Sequence, residues 1–583
     1  MLEGVVEMSA MKEKKAQTTG SIQVEPEAPA SCGLERSGLA ASAAAGASQG
    51  GQAASMGTEV RAAPTARPAV TAQELALKQR EISVSEFFTK NRHLLGFDNP
   101  SRALLATVKE AVDNSLDACQ EAHVLPQILV EVRQIDENRF RVIVEDNGPG
   151  IVRQQIPKIF GKLLYGSKFH TLKQSRGQQG IGISAAGMYG QLTTGKPVAI
   201  TSCSRPGRPA HSYEIQLDTE RNQPIVLKEA EVEWKGGRCG TRVEIELEGR
   251  YQKGRHSVDV YLQQTALANP HVEITYVPPK GETVRFERQV ESLPPDPKEI
   301  RPHPYGVELG VLQGMLKSAK GQRLSSFLCT AFSRVSRRTA EEICNRAGLK
   351  PEARPHLLAL EEVERLFKAI GATRILAPPT NCLSPIGEEV ILRSLRGQIP
   401  ADFYSARTRA PVVYRGNPFL VEVGLAYGGA LPAEEPISLY RFANRVPLLF
   451  QQSACAITEA VLRIDWKAYG LTQPKGSLPI GPAAVLVHVA SVWVPFTSES
   501  KEAIADYEEI VREIRLALQE CGRQMGRFVQ RRRKEAEAER RRSYIEKYIP
   551  YIGEALQEIL SLPVQKRALI EENLKHMLER SRS

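Results

Sequence analysis

Three polar side chains lie at a spacing that could hold a metal ion and a water molecule beside a phosphate. Glu110, Asn114 and Asp117 are four and three residues apart, so a helix would stack a carboxylate, an amide and a second carboxylate on successive turns. Oxygen ligands of this kind suit Mg²⁺. The alternative is that they form the solvated face of an ordinary helix, and the segment taken alone favours that alternative.

The surrounding residues predict the elements that would position this chemistry. The apolar residues between Ser101 and Cys119 fall in one sector of a helix, which indicates an amphipathic helix. This stripe consists of Leu105, Val108, Val112, Leu116 and Cys119. Two short strands are predicted next, from Ile128 and from Arg139. Alternation in the second strand predicts three core positions: Phe140, Val142 and Val144.

The second predicted strand ends in the turn sequence Asp-Asn-Gly-Pro-Gly, which begins at Asp146 and ends at Gly150. Its glycines would let a ligand or another backbone approach closely. A buried carboxylate at this point could accept a hydrogen bond from an exocyclic amine, such as that of adenine. The alternative is a plain tight turn, because all four residue types favour turns.

A glycine-rich stretch, RGQQGIGISAAGMYG, follows from Arg176. Gly180, Gly182 and Gly187 surround a predicted helix N-terminus, whose free N–H groups and dipole could bind phosphate oxygens. The stretch formally satisfies the Rossmann pattern, but the preceding residues are polar and no acidic residue follows at the required distance, so dinucleotide binding is excluded. No Walker A pattern is present, so nucleotide binding would need another fold.

These three elements, in this order, resemble the GHKL ATPases, which include gyrase, the histidine kinases, the MutL proteins and a heat-shock chaperone. Three stretches narrow the resemblance to the B subunits of topoisomerase VI, a type IIB DNA topoisomerase: EFFTKNRHLLGFDNPSRALLATVKEAVDNSLDA, DNGPGI and RGQQGIGISAAGMYGQLTTGKP. The resemblance runs from about Glu81 to the C-terminus. It implies an α+β multidomain protein with a Bergerat-type α/β sandwich, a helix-two-turns-helix domain, and an α/β transducer domain with a long C-terminal helix.

Composition and the resemblance together predict the domain order. Residues 1–74 are rich in Ala, Gly, Ser and Pro, which predicts a disordered extension. The resemblance implies an ATPase domain with an N-terminal strap (75–300), a helix-two-turns-helix domain (301–376), a connector (377–400), a transducer domain (401–543) and a tail that binds an A subunit (544–583). The pattern predicts a mostly helical, basic segment from Gly306 to Gly371 and strands around Val412 to Val423, Leu439 to Phe450 and Val485 to Phe496. A long helix is predicted from about Ser498 to Arg542. A short element with an apolar stripe follows, formed by Tyr544, Ile545, Tyr548, Ile549, Ile552, Leu556, Ile559 and Leu560.

The resemblance also implies the roles of individual residues in a site for ATP and Mg²⁺. Glu110 would polarise the attacking water, and Asn114 would coordinate Mg²⁺. Asp146 would read the adenine amine, with Gly150 beside it. Ser167 and Lys168 would border the nucleotide. The phosphates would be wrapped by Arg176, Gly177, Gln178, Gln179, Gly180, Ile181, Gly182 and Ile183.

Lys501, in VPFTSESKEAI, matches the switch lysine of this family. A cation that reaches the γ-phosphate from another domain would have different contacts in the ATP and ADP states. The resemblance therefore implies that Lys501 is catalytic, contacts the nucleotide, and reports hydrolysis to the rest of the molecule.

Charge and cysteine usage indicate the compartment and the partners. The formal net charge of +10 favours a polyanionic partner, with nucleic acid ahead of a membrane surface. The nine cysteines are scattered and never spaced as CxxC, which indicates a reducing compartment and no zinc or disulfide framework. No apolar run is long enough to span a bilayer. We therefore expect a cytoplasmic, nucleoid-associated protein.

The resemblance implies the partners and the reaction. Basic residues of the helix-two-turns-helix domain suit phosphate contacts without sequence preference: Lys317, Lys320, Arg323, Arg334, Arg337 and Arg338. No cleavage machinery is recognisable, so a separate A subunit would cleave DNA, in an A2B2 heterotetramer. ATP would dimerise this chain as a clamp, with the segment from Glu81 to Phe97 exchanged as a strap. The net reaction would be supercoil relaxation and decatenation by ATP-gated double-strand passage.

Two other classes of function share parts of this pattern. A MutL-like repair ATPase that acts as a matchmaker is disfavoured by the helix-two-turns-helix segment and the tail. A degenerate, non-hydrolysing scaffold is disfavoured because Glu110, Asn114, Asp146 and Lys501 are all intact, whereas such a scaffold could lose them freely.

Overall fold

A computed structural model describes residues 75–77, 79, 81–169, 171–177, 179–234, 238–498 and 500–580. The predicted disordered extension, 1–74, lies outside the described residues, and so does Gln178. The chain divides into two compact units, residues 1–79 and 80–583. All labelled helices and strands belong to the second unit.

A mixed eight-stranded sheet organises the N-terminal half of this unit. Its strands are β1 (Gln127–Asp136), β2 (Arg139–Asp146), β3 (Val198–Cys203), β4 (Ala210–Asp218), β5 (Gln223–Val232), β6 (Gly240–Glu248), β7 (Glu273–Val277) and β8 (Val284–Phe286). They lie in the order β5-β4-β3-β6-β2-β1-β7-β8. Neighbouring strands are antiparallel, except that β1 and β7 are parallel.

Five helices accompany this first sheet: α1 (Val84–Lys90), α2 (Pro100–Glu121), α3 (Ile156–Gly161), α4 (Gly182–Thr194) and α5 (Val258–Ala268). Side chains of α2 to α5 share one hydrophobic core with the sheet. The predicted core positions Phe140, Val142 and Val144 belong to it. Ile143, between them, was expected to alternate outward but is also fully buried, so the opposite face of β2 is covered as well.

Helix α2 confirms the helix predicted from Ser101 to Cys119. It starts where the Asn99 side chain accepts a hydrogen bond from the Arg102 N–H (2.9 Å), with Pro100 in the first turn, and both features favour a helix start. All five residues of the predicted apolar stripe are buried. Burying a side chain of the size of Val or Leu contributes about 1.5–3 kcal/mol, so the opposite, polar face is fixed toward the cavity described below.

Four helices follow with a core of their own. They are α6 (Leu309–Ser318), α7 (Leu324–Ala331), α8 (Arg337–Ala347) and α9 (Leu360–Ala372). They account for the helical segment expected from Gly306 to Gly371.

A second, six-stranded sheet organises the C-terminal half. Its strands are β9 (Phe403–Thr408), β10 (Val412–Tyr414), β11 (Asn417–Tyr427), β12 (Ser438–Ala443), β13 (Val446–Pro447) and β14 (Ala483–Ser491). The order is β10-β11-β14-β12-β13, and β9 also pairs with β11. Helices α10 (Glu388–Gln398) and α11 (Ala456–Leu462) complete this part.

Two segments expected to be single strands are hairpins instead. The expected strand from Val412 to Val423 turns at Arg415 and Gly416, whose φ angles are 45° and 75°. The expected strand from Leu439 to Phe450 turns at Asn444 and Arg445, with φ of 47° and 67°. Two consecutive residues with positive φ make the tight turn whose twist matches a hairpin.

The predicted start of the long helix lies ten residues before the observed start, and the predicted end lies before the observed end. Helix α12 runs from Glu508 to Ile559, through Pro550. The residues before it are irregular, because Phe496 bridges to Ile504 and the Thr497 N–H donates to the Ala503 carbonyl oxygen (3.0 Å). The short element predicted after Arg542 is the continuation of α12.

Helix α13 (Val564–Arg580) folds back along the end of α12. Ile549 is buried beneath this hairpin, but most of the predicted apolar stripe stays exposed. The exposed members are Tyr544, Ile545, Tyr548, Ile552, Ile559 and Leu560. Among the described residues, none of the helices combines the length and apolar character needed to cross a membrane.

Candidate active site

A cavity of about 400 Å³ opens between the polar face of α2, the end of β2, the start of α4 and the loop before α12. It brings together nearly all residues predicted for the site. Those in its lining are Glu110, Asn114, Asp146, Gly150, Ser167, Lys168, Gly177, Gln179, Gly180, Ile181, Gly182, Ile183 and Lys501. Arg176 is not in this lining, and Gln178 lies outside the described residues.

Glu110 lies where the polar face of α2 meets the first turn of α4. Its carboxylate accepts a hydrogen bond from Lys109 Nζ (3.2 Å). Burial acts to raise the pKa of Glu110, but the cations of Lys109 and Lys501 outweigh it and hold the pKa below its usual value. Glu110 is therefore an ionised carboxylate that can accept a proton at neutral pH.

A Cβ on Gly182 would overlap the Glu110 carboxylate, so the carboxylate can hold this position only beside a glycine. Gly180 is also confined, with φ of +59° and the Tyr165 carbonyl oxygen 2.7 Å from the position of a Cβ. Ile181, at the N-cap of α4, has no side-chain group that could cap the helix. The first-turn N–H groups therefore open toward the cavity, as anion-binding helix termini do.

We predict that Gly182→Ala lowers the ATPase rate about 10- to 100-fold, because an added methyl group pushes the Glu110 carboxylate from its position and a misplacement of about 1 Å is costly. Gly371→Ala, in α9 and outside the cavity lining, is the matched control, since no heavy atom lies within 4 Å of its Cβ position. Steady-state kinetics of both variants, with melting temperatures, check this prediction. Equal rates for the two variants would contradict it.

Asp146 ends β2 with its carboxylate buried at the wall of the cavity. Oδ1 accepts hydrogen bonds from the N–H groups of Gly148 (2.9 Å) and Thr241 (3.3 Å), and Oδ2 accepts one from the Ser115 hydroxyl (2.9 Å). Burial raises the pKa of Asp146, although these three hydrogen bonds oppose the shift. The carboxylate is thus fixed in orientation, with lone-pair capacity left for a ligand amine.

Asp117, one turn beyond Asn114, is occupied by protein cations. Lys168 Nζ lies 2.7 Å and Arg176 Nη1 2.7 Å from its carboxylate oxygens. Burial acts to raise the pKa of Asp117, but these two cations hold it below its usual value. Asp117 therefore holds the Lys168 and Arg176 side chains in place. Of the predicted trio, Asn114 is the residue whose oxygen is not engaged by a protein cation.

The Arg176 side chain turns away from the cavity. Its guanidinium donates to Asp117, to Gln120 Oε1 (2.6 Å) and to Asn269 Oδ1 (2.6 Å). Its carbonyl oxygen accepts a hydrogen bond from Lys501 Nζ (3.2 Å). That the Arg176 side chain contacts phosphates stays a prediction.

Lys501 reaches the cavity from the irregular segment after β14. Its φ of 54° is unusual for a residue with a side chain, and such strain is commonly found at functional sites. Burial lowers the pKa of Lys501, and the nearby Glu110 carboxylate opposes that shift. The ammonium group is thus held among the carboxylates of α2.

Sequence reasoning missed the residues that hold these groups in place. Glu502 forms an ion pair with Arg102 at the start of α2, and the Arg102 guanidinium lies 4.6 Å from the ring centre of Phe450. Ser115 and Thr241 orient Asp146. No periodic pattern links these positions, although Glu502 adjoins Lys501 and so could have been suspected.

Two family models match separate regions of this chain, and relatives match most of it. A model of the histidine kinase-, DNA gyrase B- and HSP90-like ATPases matches residues 99–248, and the topoisomerase VI B subunit transducer model matches residues 378–541. The B subunit of type 2 DNA topoisomerase 6 from Methanococcoides burtonii is 51% identical over 84% of this chain and 79% of its own. Its counterpart from Pyrococcus horikoshii is 39% identical over 85% and 94%.

The two halves of the molecule thus define a GHKL ATPase joined to a transducer. The chain belongs to the family of topoisomerase VI B subunits, the ATP-dependent subunits of type IIB DNA topoisomerases.

Proposed function

We propose that this chain hydrolyses ATP in the cavity described above, with Glu110 as the general base that activates the attacking water. The observation that carries the proposal is the meeting of an ionised carboxylate, a glycine-bordered helix N-terminus and a lysine from the segment after the second sheet in one cavity. Glu110 takes the proton of the water, and Lys109 holds its carboxylate in place. Lys501 stabilises charge that develops at the phosphate.

The other predicted residues bind and orient the substrate. Asp146 accepts a hydrogen bond from the adenine amine, and Gly150 lies beside it in the cavity lining. Ser167 and Lys168 border the nucleotide. The backbone of Gly177, Gln179 to Ile183 and the dipole of α4 receive the phosphates. The same role is proposed for Arg176 and Gln178.

The residues present fit Mg²⁺ bound together with the nucleotide. Mg²⁺ commonly keeps several waters and takes one or two protein ligands beside substrate phosphates. Asn114 supplies one amide oxygen, exposed in the cavity one turn from Glu110. When bound, Mg²⁺ neutralises phosphate charge.

We further propose that nucleotide binding dimerises this chain, with the segment from Glu81 to Phe97 as a strap between protomers. Here the segment contacts its own chain, since the Ser83 and Ser85 hydroxyls donate to the Thr219 carbonyl oxygen (2.7 and 2.8 Å). Phe97 stacks on Tyr189, with ring centres 5.2 Å apart. Phe97 belongs to the first hydrophobic core, and Phe88 and Leu95 pack against it. A dimer that exchanges this segment must replace these contacts with equivalent ones from the partner.

The proposed partners are duplex DNA and a DNA-cleaving A subunit, in an A2B2 assembly associated with the nucleoid. The basic residues of α6 to α8 and the segments joining them, among them Lys317, Arg323 and Arg337, would contact phosphates without sequence preference. The exposed stripe of α12 that includes Tyr544 and Tyr548 is proposed as the A-subunit docking surface. We propose the same domain limits as those predicted from the sequence: 75–300, 301–376, 377–400, 401–543 and 544–583.

A relaxation and decatenation assay tests the proposed function. The chain is mixed with a topoisomerase VI A subunit, supercoiled plasmid or catenated DNA, Mg²⁺ and ATP. We expect relaxed and unlinked products only when both subunits and ATP are present. ATP hydrolysis without any strand passage, at several protein ratios, would contradict the proposed reaction.

A further inference from the structure

Three consecutive residues at the start of the glycine-rich stretch are each hydrogen-bonded to a different part of the second half of the molecule. We call Gln174, Ser175 and Arg176 the anchor residues. The Gln174 side chain accepts from the Ser384 N–H (2.6 Å) and donates to the Ser384 carbonyl oxygen (3.2 Å). The Ser175 carbonyl oxygen accepts from Asn444 Nδ2 (3.0 Å). The Arg176 carbonyl oxygen accepts from Lys501.

Asn444 is held rigidly on the second sheet by the rest of its amide group. Nδ2 also donates to the Ser491 carbonyl oxygen (2.9 Å), and Oδ1 accepts from the Ser491 N–H (2.9 Å). Asn444 is buried and occupies the β12–β13 turn, which is fixed against the end of β14. Its amide thus joins the end of β14 to the backbone of Ser175.

The neighbouring Arg445 connects the same turn to the Arg176 side chain. Its carbonyl oxygen accepts from Asn269 Nδ2 (3.2 Å), and Asn269 Oδ1 accepts from Arg176 Nη2 (2.6 Å). The Arg445 N–H donates to His488 Nε2 (3.0 Å), in the middle of β14. The turn therefore holds the anchor residues through both backbone and side chain.

Neither Gln174 nor Asn444 lines the cavity, so neither acts by touching nucleotide. Lys501, by contrast, lies in the lining. Asn444 contacts Ser491 at the C-terminal end of β14, and the segment that carries Lys501 leaves the sheet at the same end. A shift of β14 would therefore move Lys501 and the anchor residues together.

We infer that Asn444 and Gln174 are positioning residues. Their hydrogen bonds fix the anchor residues against the second half of the molecule, so that the following glycines and Lys501 keep their relative positions in the nucleotide cavity. The inference rests on the proposed ATPase function and deepens it. It assigns to the β12–β13 turn a second mechanical link between the cavity and the second sheet, beside Lys501.

The test compares Asn444→Ala and Gln174→Ala with Asn417→Ala in the full chain. Asn417 follows the other two-residue turn of the same sheet, and its Nδ2 contact is with the Arg415 carbonyl oxygen (3.5 Å), far in sequence from the anchor residues. Truncating one partner of a buried hydrogen bond leaves the other partner unsatisfied, which is costly. We therefore expect both test variants to raise the KM for ATP about tenfold or more, with kcat changed less than about threefold.

The midpoint for dimerisation by a non-hydrolysable ATP analogue should shift by the same factor, and Asn417→Ala should match the wild type in both measurements. An unchanged KM and midpoint in Gln174→Ala overturns the inference, even if Asn444→Ala is altered, because Gln174→Ala leaves the turn intact and so separates positioning from folding. If wild-type protein neither hydrolyses ATP nor dimerises, the proposed function itself has failed, which is a distinguishable result.

Discussion

Glu110→Gln is expected to lower the rate of ATP hydrolysis by about 10²- to 10⁴-fold, the usual contribution of a general base. Glutamine keeps the size of the side chain beside Gly182 and can still accept a hydrogen bond from Lys109, but it cannot take a proton from water. Binding should survive, because Glu110 is not among the groups proposed to hold adenine or Mg²⁺. Phosphate release at saturating ATP measures the rate.

Asp113→Asn is the matched control for this substitution. Asp113 lies three residues further along α2, accepts a hydrogen bond from the Tyr261 hydroxyl (3.2 Å), and is absent from the cavity lining. The rate of ATP hydrolysis by Asp113→Asn should fall by less than about tenfold. If Glu110→Gln keeps more than a tenth of the wild-type rate, Glu110 is not the general base.

Lys501→Met is expected to lower kcat by about 10²- to 10³-fold, the effect of removing one fixed group that stabilises transition-state charge. Methionine keeps most of the apolar stem while it removes the cation and its hydrogen bond to Arg176. Strand passage per ATP should fall as well, because the contact between cavity and second sheet is lost. Lys475→Met, at an exposed lysine of the same half, is the control and should hydrolyse ATP normally.

The pH profile gives this prediction a second readout. Lys501 is one of the two cations that lower the pKa of Glu110. The base is active when deprotonated, so activity is lost as the pH falls through that lowered pKa. Removing Lys501 raises the pKa of Glu110 and should move the acid limb of kcat to higher pH. An acid limb that does not move would contradict the electrostatic link between the two residues.

The site elements with local sequence signals were predictable. The spacing of Leu105, Val108 and Val112 fixed the orientation of α2, so the polar face with Glu110 and Asn114 followed. The strand that ends at Asp146 was predictable from alternation and turn residues. Each of these signals lies within a few residues of the feature that it predicts.

The errors lie where distant contacts override local preference. Residues 500–507 have a helix-like composition, but the bridge from Phe496 to Ile504 keeps them from forming a helix. Tertiary contacts commonly outweigh helix propensity in this way. The extended segment is what lets Lys501 reach the cavity. The Arg102–Glu502 ion pair joins residues 400 positions apart, and no periodicity in a single sequence reports such a pair.

Nucleotide bound with Mg²⁺ in this cavity is proposed to drive association of the chain. Light scattering with a non-hydrolysable ATP analogue and Mg²⁺ tests it most directly, on wild type, Glu110→Gln and Asn114→Ala. We expect the mass of the first two to double, while Asn114→Ala, which lacks the proposed Mg²⁺ ligand, stays monomeric. No change in mass for the wild type, or equal dimerisation of all three, would contradict the account.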